Sequence, residues 1–168
     1  FPAQRRRMLD ILLSQSSPSY LRDLQTYQRV LQQRNVLLRA AKKSLSAAPN
    51  EEELAPWDEQ MADLGARIRK ARLEALDILC APFSRFYARF SPDGEEAAIN
   101  YRGLRSDTEG MDFRQTLLEE LQRKRSQELQ VGHTLCGPHR DDLGFDLDSL
   151  SAELYASEGQ LKTRSEEH

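Results

Sequence analysis

Two stretches of this 168-residue chain carry residue types that could do chemistry. The first is Ser157-Glu158-Gly159-Gln160, followed by Leu161-Lys162-Thr163. A serine hydroxyl and a glycine-exposed backbone at the start of a helix form an anion grip, because the free amides and the helix dipole both favour negative charge there. The second is Gly137-Pro138-His139-Arg140-Asp141-Asp142-Leu143. Adjacent carboxylates on a strand or tight loop point apart, so Asp141 and Asp142 do not suit a concerted acid–base pair. A loop stapled by an arginine–aspartate pair suits them better.

Other chemistries lack their residues. Gly132 and Gly137 have the glycine spacing of a phosphate-binding P-loop, but Pro138 and His139 stand where lysine and a hydroxyl residue are required. No apolar strand ends in an acidic pair suited to magnesium, so the chain alone has no route to phosphoryl transfer. The three histidines, His133, His139 and His168, form no zinc pattern with the cysteines, and no Gly-x-Ser-x-Gly elbow occurs. Cys80 and Cys136 read as free thiols of a reducing compartment. No catalytic residue and no metal site is assigned.

The net charge of −3 leaves no global basic field, so any nucleic-acid contact must come from local clusters. Such clusters occur at Arg5-Arg6-Arg7, at Arg67, Arg69, Lys70 and Arg72, and at Arg123-Lys124-Arg125. Arg67, Arg69, Lys70, Arg72, Arg123 and Lys124 are the candidate DNA contacts, to phosphate rather than to bases. The blander account is the solvated face of a long helix. No apolar run reaches the roughly 20 residues of a membrane helix. The chain starts at Phe1, not methionine, which points to a start inside a longer protein.

Helical periodicity positions these groups. Arg5 to Gln15 reads as a short helix, and Ser17 before Pro18 is a helix start. Tyr20, Leu24, Tyr27, Leu31 and Leu38 then form one stripe to about Ser46, with Asn35 a hydrogen-bonded polar member of it. Leu54, Trp57, Met61, Leu64, Ile68, Ala71, Ala75 and Ile78 alternate three and four apart, nearly four heptads. Two such helices joined by a short connection around Pro49 lie antiparallel, with Trp57 packing across the loop end. Pro82 bends or ends the second helix. Phe83, Phe86, Tyr87 and Phe90 read as core packing, with base stacking as the sharper alternative. A strand at 97–102 and a helix at 111–130 stopped by Gly132 follow. Thr134–Cys136 and Leu143–Leu147 read as strands flanking the Gly137–Asp142 loop, with a further short strand at Glu153–Ala156. The fold class is therefore mostly α: a long-helix antiparallel hairpin over 1–132, then a small α+β segment over 133–168 whose sheet needs strands from elsewhere.

Taken together, these motifs resemble a known family. Ser-x-Gly-Gln before a helix is the signature arrangement of ABC-type ATPases. Arg5-Arg6 with Leu9-Asp10, Tyr27 with Gln33-Arg34-Asn35, Trp57-Asp58 with its heptads, Thr134-Leu135 with Gly137 to Leu143, and Ser157-x-Gly159-Gln160 are similar, in that order, to the RecF family of SMC-like ABC ATPases. The resemblance implies an ATPase head interrupted by a helical arm. It implies ATP and magnesium in the intact parent and none for this piece alone, which lacks the P-loop and the acidic segment. Ser157, Gly159 and Gln160 would contact ATP across an ATP-dependent homodimer, and His139, Arg140, Asp141 and Asp142 would lie in the head near the junction. The implied role is cytoplasmic: DNA repair, DNA replication and the SOS response at single-strand/double-strand DNA junctions, with RecR and RecO, by a parent that is a weak ATPase. The alternative is an arm that docks a partner such as RecR without touching DNA. The sequence departs from the family at Glu158, whose charge would weaken a phosphate site, and in the polar tail Arg164–His168.

Overall fold

The computed structural model describes residues 2–43, 51–91, 97–102, 112–147 and 150–151. Helix α1 spans Pro2–Ser16, α2 Pro18–Lys43, α3 Glu51–Ala88 and α4 Phe113–Val131; strands β1 Ala97–Arg102, β2 Asp142–Leu147 and β3 Leu150–Ser151 complete the elements. Ser17 alone separates α1 from α2, and its Oγ accepts the Tyr20 amide at 3.3 Å. This is the capping geometry expected of serine before proline.

Helices α2 and α3 run antiparallel, since Asp23 meets Arg67 and Arg34 meets Asp58. Their core holds Tyr20, Tyr27, Val30, Met61, Leu64 and Ile68, closed by Leu117, Leu118 and Leu121 of α4. The expected stripes are correct near the middle and drift at the ends. In α2 the buried positions are Tyr20, Tyr27, Val30, Arg34 and Leu38, while Leu24 and Leu31 pack at the margin. In α3 Leu54 to Ile68 face inward, but Ile78 is 74% exposed and Leu76 is buried instead. A straight helix rotates by about 20° per heptad against a strict seven-residue repeat, so a seam set at Leu54 has left the interface by Ile78. Trp57 is half-buried against this core, and the connection at 44–50 lies outside the described residues.

Pro82 does not end α3, which continues to Ala88. A proline here leaves the carbonyl four residues back, on Ile78, without its helical donor. Ile78 faces solvent, so water can satisfy that carbonyl and the helix persists. The aromatic cluster beyond it is split. Phe83 packs against Phe145 of β2, with ring centroids 5.9 Å apart, whereas Phe86 and Phe90 stack on each other at 4.9 Å and are 63% and 71% exposed. Core packing holds for the first and fails for the last two.

Asp112 caps α4 by accepting the Arg114 and Gln115 amides, and Gly132 ends it in the left-handed region at φ 81°. Strand β1 lies as expected and pairs antiparallel with β2 from Ala97↔Leu147 to Arg102↔Asp142; β3 pairs on the other side of β2. Thus β2 finds a strand partner within the chain. Thr134–Cys136 is not a strand. Its amides are taken by side chains: Thr134 N donates to Asn35 Oδ1 at 2.8 Å and Leu135 N to Glu128 Oε1 at 2.7 Å. With those donors committed, no ladder can form. The region expected at Glu153–Ala156 lies outside the described residues.

Candidate functional site

The Gly137–Asp142 loop sits where α1, α2, α3 and β1 converge. Gly137 adopts φ 114°, and the Arg140 amide closes a turn on the Gly137 carbonyl at 2.8 Å. A Cβ on Gly137 would stand 2.5 Å from the Tyr27 hydroxyl oxygen, so both the turn and the neighbour require glycine. The Pro138 carbonyl accepts Arg72 Nη1 at 2.8 Å.

Each acidic group of the loop is held by an arginine of the arm. Arg69 grips Asp141 with two nitrogens, Nε at 2.8 Å and Nη2 at 2.9 Å, and Tyr101 Oη donates to the same carboxylate at 2.8 Å. Arg6 donates to the Asp141 carbonyl at 2.6 Å. Arg5 holds Asp142 with Nε at 3.2 Å and Nη2 at 2.5 Å. The two carboxylates thus face different guanidiniums. The staple is an arginine–aspartate one, but its arginines come from α1 and α3. Arg140 remains exposed and reaches the Thr134 carbonyl at 3.3 Å.

His139 Nδ1 lies 2.8 Å from the Tyr27 hydroxyl. Burial pushes the His139 pKa down to about 4, against a backbone hydrogen bond to Thr134 that favours the proton. His139 is therefore neutral at pH 7, with Nδ1 free to accept from the tyrosine. Burial also raises the Tyr27 and Tyr101 hydroxyls well above their ordinary values, so both stay protonated donors.

Two further buried arginines tie the elements together. Arg72 bonds Asp10 of α1 through Nε and Nη2, both at 3.0 Å, and also the hydroxyls of Tyr20 and Tyr101. Arg34 bonds Asp58 Oδ1 at 2.6 Å, Thr134 Oγ1 at 2.8 Å and Glu128 Oε2 at 2.7 Å. Arg125 adds a second contact to Asp58. Burial opposes the charge on Arg34, Arg69 and Arg72, yet the acids and tyrosines around them outweigh it and raise all three. A buried pair of this kind is directional, and removing one partner strands the other charge. The arrangement can fix the loop rigidly to the arm. It offers no nucleophile beside a base, and no cluster of three metal-ligating side chains occurs among the described residues.

The sequence-derived site residues are separated by this geometry. His139, Asp141 and Asp142 are held in the convergence just described. Arg69 and Arg72, at 1% and 2% exposed, face the interior and cannot reach a phosphate, which corrects the expectation for both. Their three-residue spacing marked a helix face, but that face is the packed one. Arg67 is exposed and pairs with Asp23, and Lys70 is exposed beside Glu74. Arg123 is exposed, and Lys124 Nζ approaches the Leu135 carbonyl at 3.5 Å. Ser157, Gly159 and Gln160 lie outside the described residues. Tyr101, Asp10 and Glu128 were not singled out for this role; a polar residue at an inward helical position, as at Arg34 and Glu128, is the signal that marks them.

No protein-family profile matches the chain. Curated relatives do. The DNA replication and repair protein RecF of Chloroflexus aggregans is 40% identical over 167 residues, covering 96% of this chain and 42% of that protein. RecF of Symbiobacterium thermophilum is 38% identical over 166 residues, with 96% and 43% covered, and RecF of Bacillus mycoides 37% identical over 165 residues, with 96% and 44% covered. Among solved structures, that of the recombination mediator protein RecF-ATP in the RecFOR pathway superposes with a TM-score of 0.82 at 31% identity, covering 95% of this chain and 42% of that one. In sequence and in fold alike, the chain is similar over nearly its whole length to rather less than half of a RecF protein.

Proposed function

We propose that this chain is the helical arm and signature-bearing head segment of a RecF-like recombination mediator that binds ATP and DNA in repair and replication. The observation that carries this reading is the joint match in sequence and fold to RecF proteins, one of them described with ATP, over at least 95% of the chain. In this reading the arm spans 1–132 and the head segment 133–168. Ser157, Gly159 and Gln160 meet ATP held with magnesium by a second copy, and the dimer closes on DNA at single-strand/double-strand junctions, with RecR and RecO as partners in the cytoplasm and the SOS response. Arg67, Lys70, Arg123 and Lys124 remain the candidate phosphate contacts on the arm. The loop at 137–142, locked by Arg5, Arg69 and Arg72, couples head closure to arm position, because a directional buried ion pair transmits displacement better than a sliding apolar contact.

The test uses the full-length protein. With Ser157→Ala, ATP binding by each subunit's own head should persist while ATP-dependent dimerisation, followed by sedimentation velocity, is lost. A variant that dimerises like the parent would refute the trans contact. Capture of RecR that is independent of DNA, by a protein that shows no DNA binding of its own, would favour the partner-docking arm instead.

A further inference from the structure

A cleft of about 450 Å³ opens near the end of the helical hairpin, lined by Arg39, Lys42 and Lys43 of α2, by Val131 and Gly132 at the end of α4, and by His133. Three of these residues are permanent cations at pH 7, a fourth is a histidine, and no acidic residue is among the described residues that line the cleft. Two other exposed arginines of the arm are neutralised, Arg67 by Asp23 and Arg114 by Glu59 and Asp63. Among the described ion pairs none involves Arg39 or Lys43. The acidic run Glu51-Glu52-Glu53 opens α3, and neither Glu52 nor Glu53 is among the described residues that line the cleft.

The cleft is shaped by the chain and is not just a row of lysines. Gly132 holds φ 81°, and a Cβ there would approach Lys42 Cδ to 3.0 Å. The missing side chain lets the Lys42 stem lie across the end of α4, where Nζ donates to the Val131 carbonyl at 3.3 Å. Capping of the helix end accounts for Lys42. Arg39 and Lys43 line the same volume, and among the described residues no carboxylate is paired with either.

We propose that this cleft receives phosphate groups of a nucleic-acid backbone, with Arg39 and Lys43 as the contacting cations and Lys42 and Gly132 as the residues that hold its shape. Separated cations around an open cleft match a polyanion with charges spaced several ångströms apart. Val131 is the one large apolar residue among the described lining residues, which argues against a peptide anchored by large side chains. The inference rests on the DNA-binding part of the reading above and is independent of the Ser157 contact.

The test is DNA binding by the full-length protein, followed by fluorescence anisotropy across a salt series. Arg39→Gln/Lys43→Gln alters exposed positions, so circular dichroism should be unchanged. Affinity for duplex DNA should fall on the order of tenfold at moderate salt, and the slope of log affinity against log salt should become shallower by about 2, one per lost phosphate contact. Arg114→Gln, which removes a cation neutralised by Glu59 and Asp63, should leave the slope unchanged. An unchanged slope in the double variant, with DNA still bound, overturns this inference and spares the proposed function. Absence of DNA binding by the parent overturns both. Competition by polyglutamate as effective as by DNA also overturns it, since it would mark a site for acidic protein.

Discussion

Arg69 and Asp141 lie 72 residues apart in sequence and meet through two parallel hydrogen bonds, both side chains almost completely buried. This pair fastens the loop to the longest helix. It also explains why a residue expected to meet DNA on a helix face is unavailable to it.

Breaking that pair from one side should be costly. Arg69→Met leaves the Asp141 carboxylate buried without its guanidinium, and Asp141→Leu leaves the reverse. Each should destabilise the protein by about 3–5 kcal/mol in urea unfolding, and the double variant should recover a good part of the loss. Additive losses in the double variant would show that the two residues act independently.

Stability should fall in mild acid. The unfolded chain protonates a histidine near its ordinary value of 6.5, whereas folded His139 resists the proton until about pH 4. Between those values the unfolded state binds more protons, so stability declines as pH is lowered from about 6.5 towards 4. Asp142, held below its usual carboxylate range by Arg5 despite its burial, adds a further loss as the pH falls lower still. Thermal melts across this range, compared with His139→Gln, check the assignment: the variant should flatten the upper part of the profile.

Gly137→Ala should be among the most damaging single-methyl additions. It combines a left-handed backbone, worth about 1–3 kcal/mol of strain for a non-glycine residue, with a collision against the Tyr27 hydroxyl. Removing that hydroxyl in Tyr27→Phe should relieve part of the collision, visible as a partial recovery of melting temperature in the pair.

The two thiols should react very unequally. Burial and the nearby Glu128 push the Cys136 thiol up to about 12, whereas Cys80 is half-buried and donates to the Ile99 carbonyl at 3.2 Å. Native alkylation followed by mass spectrometry should label Cys80 first and reach Cys136 only with unfolding. Equal labelling rates would place Cys136 on an open surface.

Much of the architecture was legible because apolar periodicity speaks for whole helices. Ser17 before Pro18, the stripe from Leu54 to Ile68, the strand at 97–102 and the stop at Gly132 all lie where local rules put them. The errors arise where tertiary partners override local pattern. Thr134–Cys136 has the alternation of a strand, yet Asn35 and Glu128, distant or unremarkable in sequence, claim its amides. Arg69 and Arg72 look solvated because arginine usually is, and only their partners at Asp141 and Asp10 reveal otherwise. The residues that carry the family resemblance, Arg5, Arg6, Asp10, Tyr27, Arg34, Asn35, Asp58 and Thr134, recur as members of the polar network. A pattern recognised by order along the chain is thus also a set of contacts, though nothing in their spacing announces who meets whom.

The uninterrupted course of α3 through Pro82 has a mechanical consequence. Its 38 residues make a rod about 57 Å long. Because Arg69 and Arg72 pin the middle of that rod, a rotation of a few degrees about them would displace the two ends by about 2 Å in opposite directions. Pro82, where the helix does not end, lies on the handle of a lever whose fulcrum is ionic.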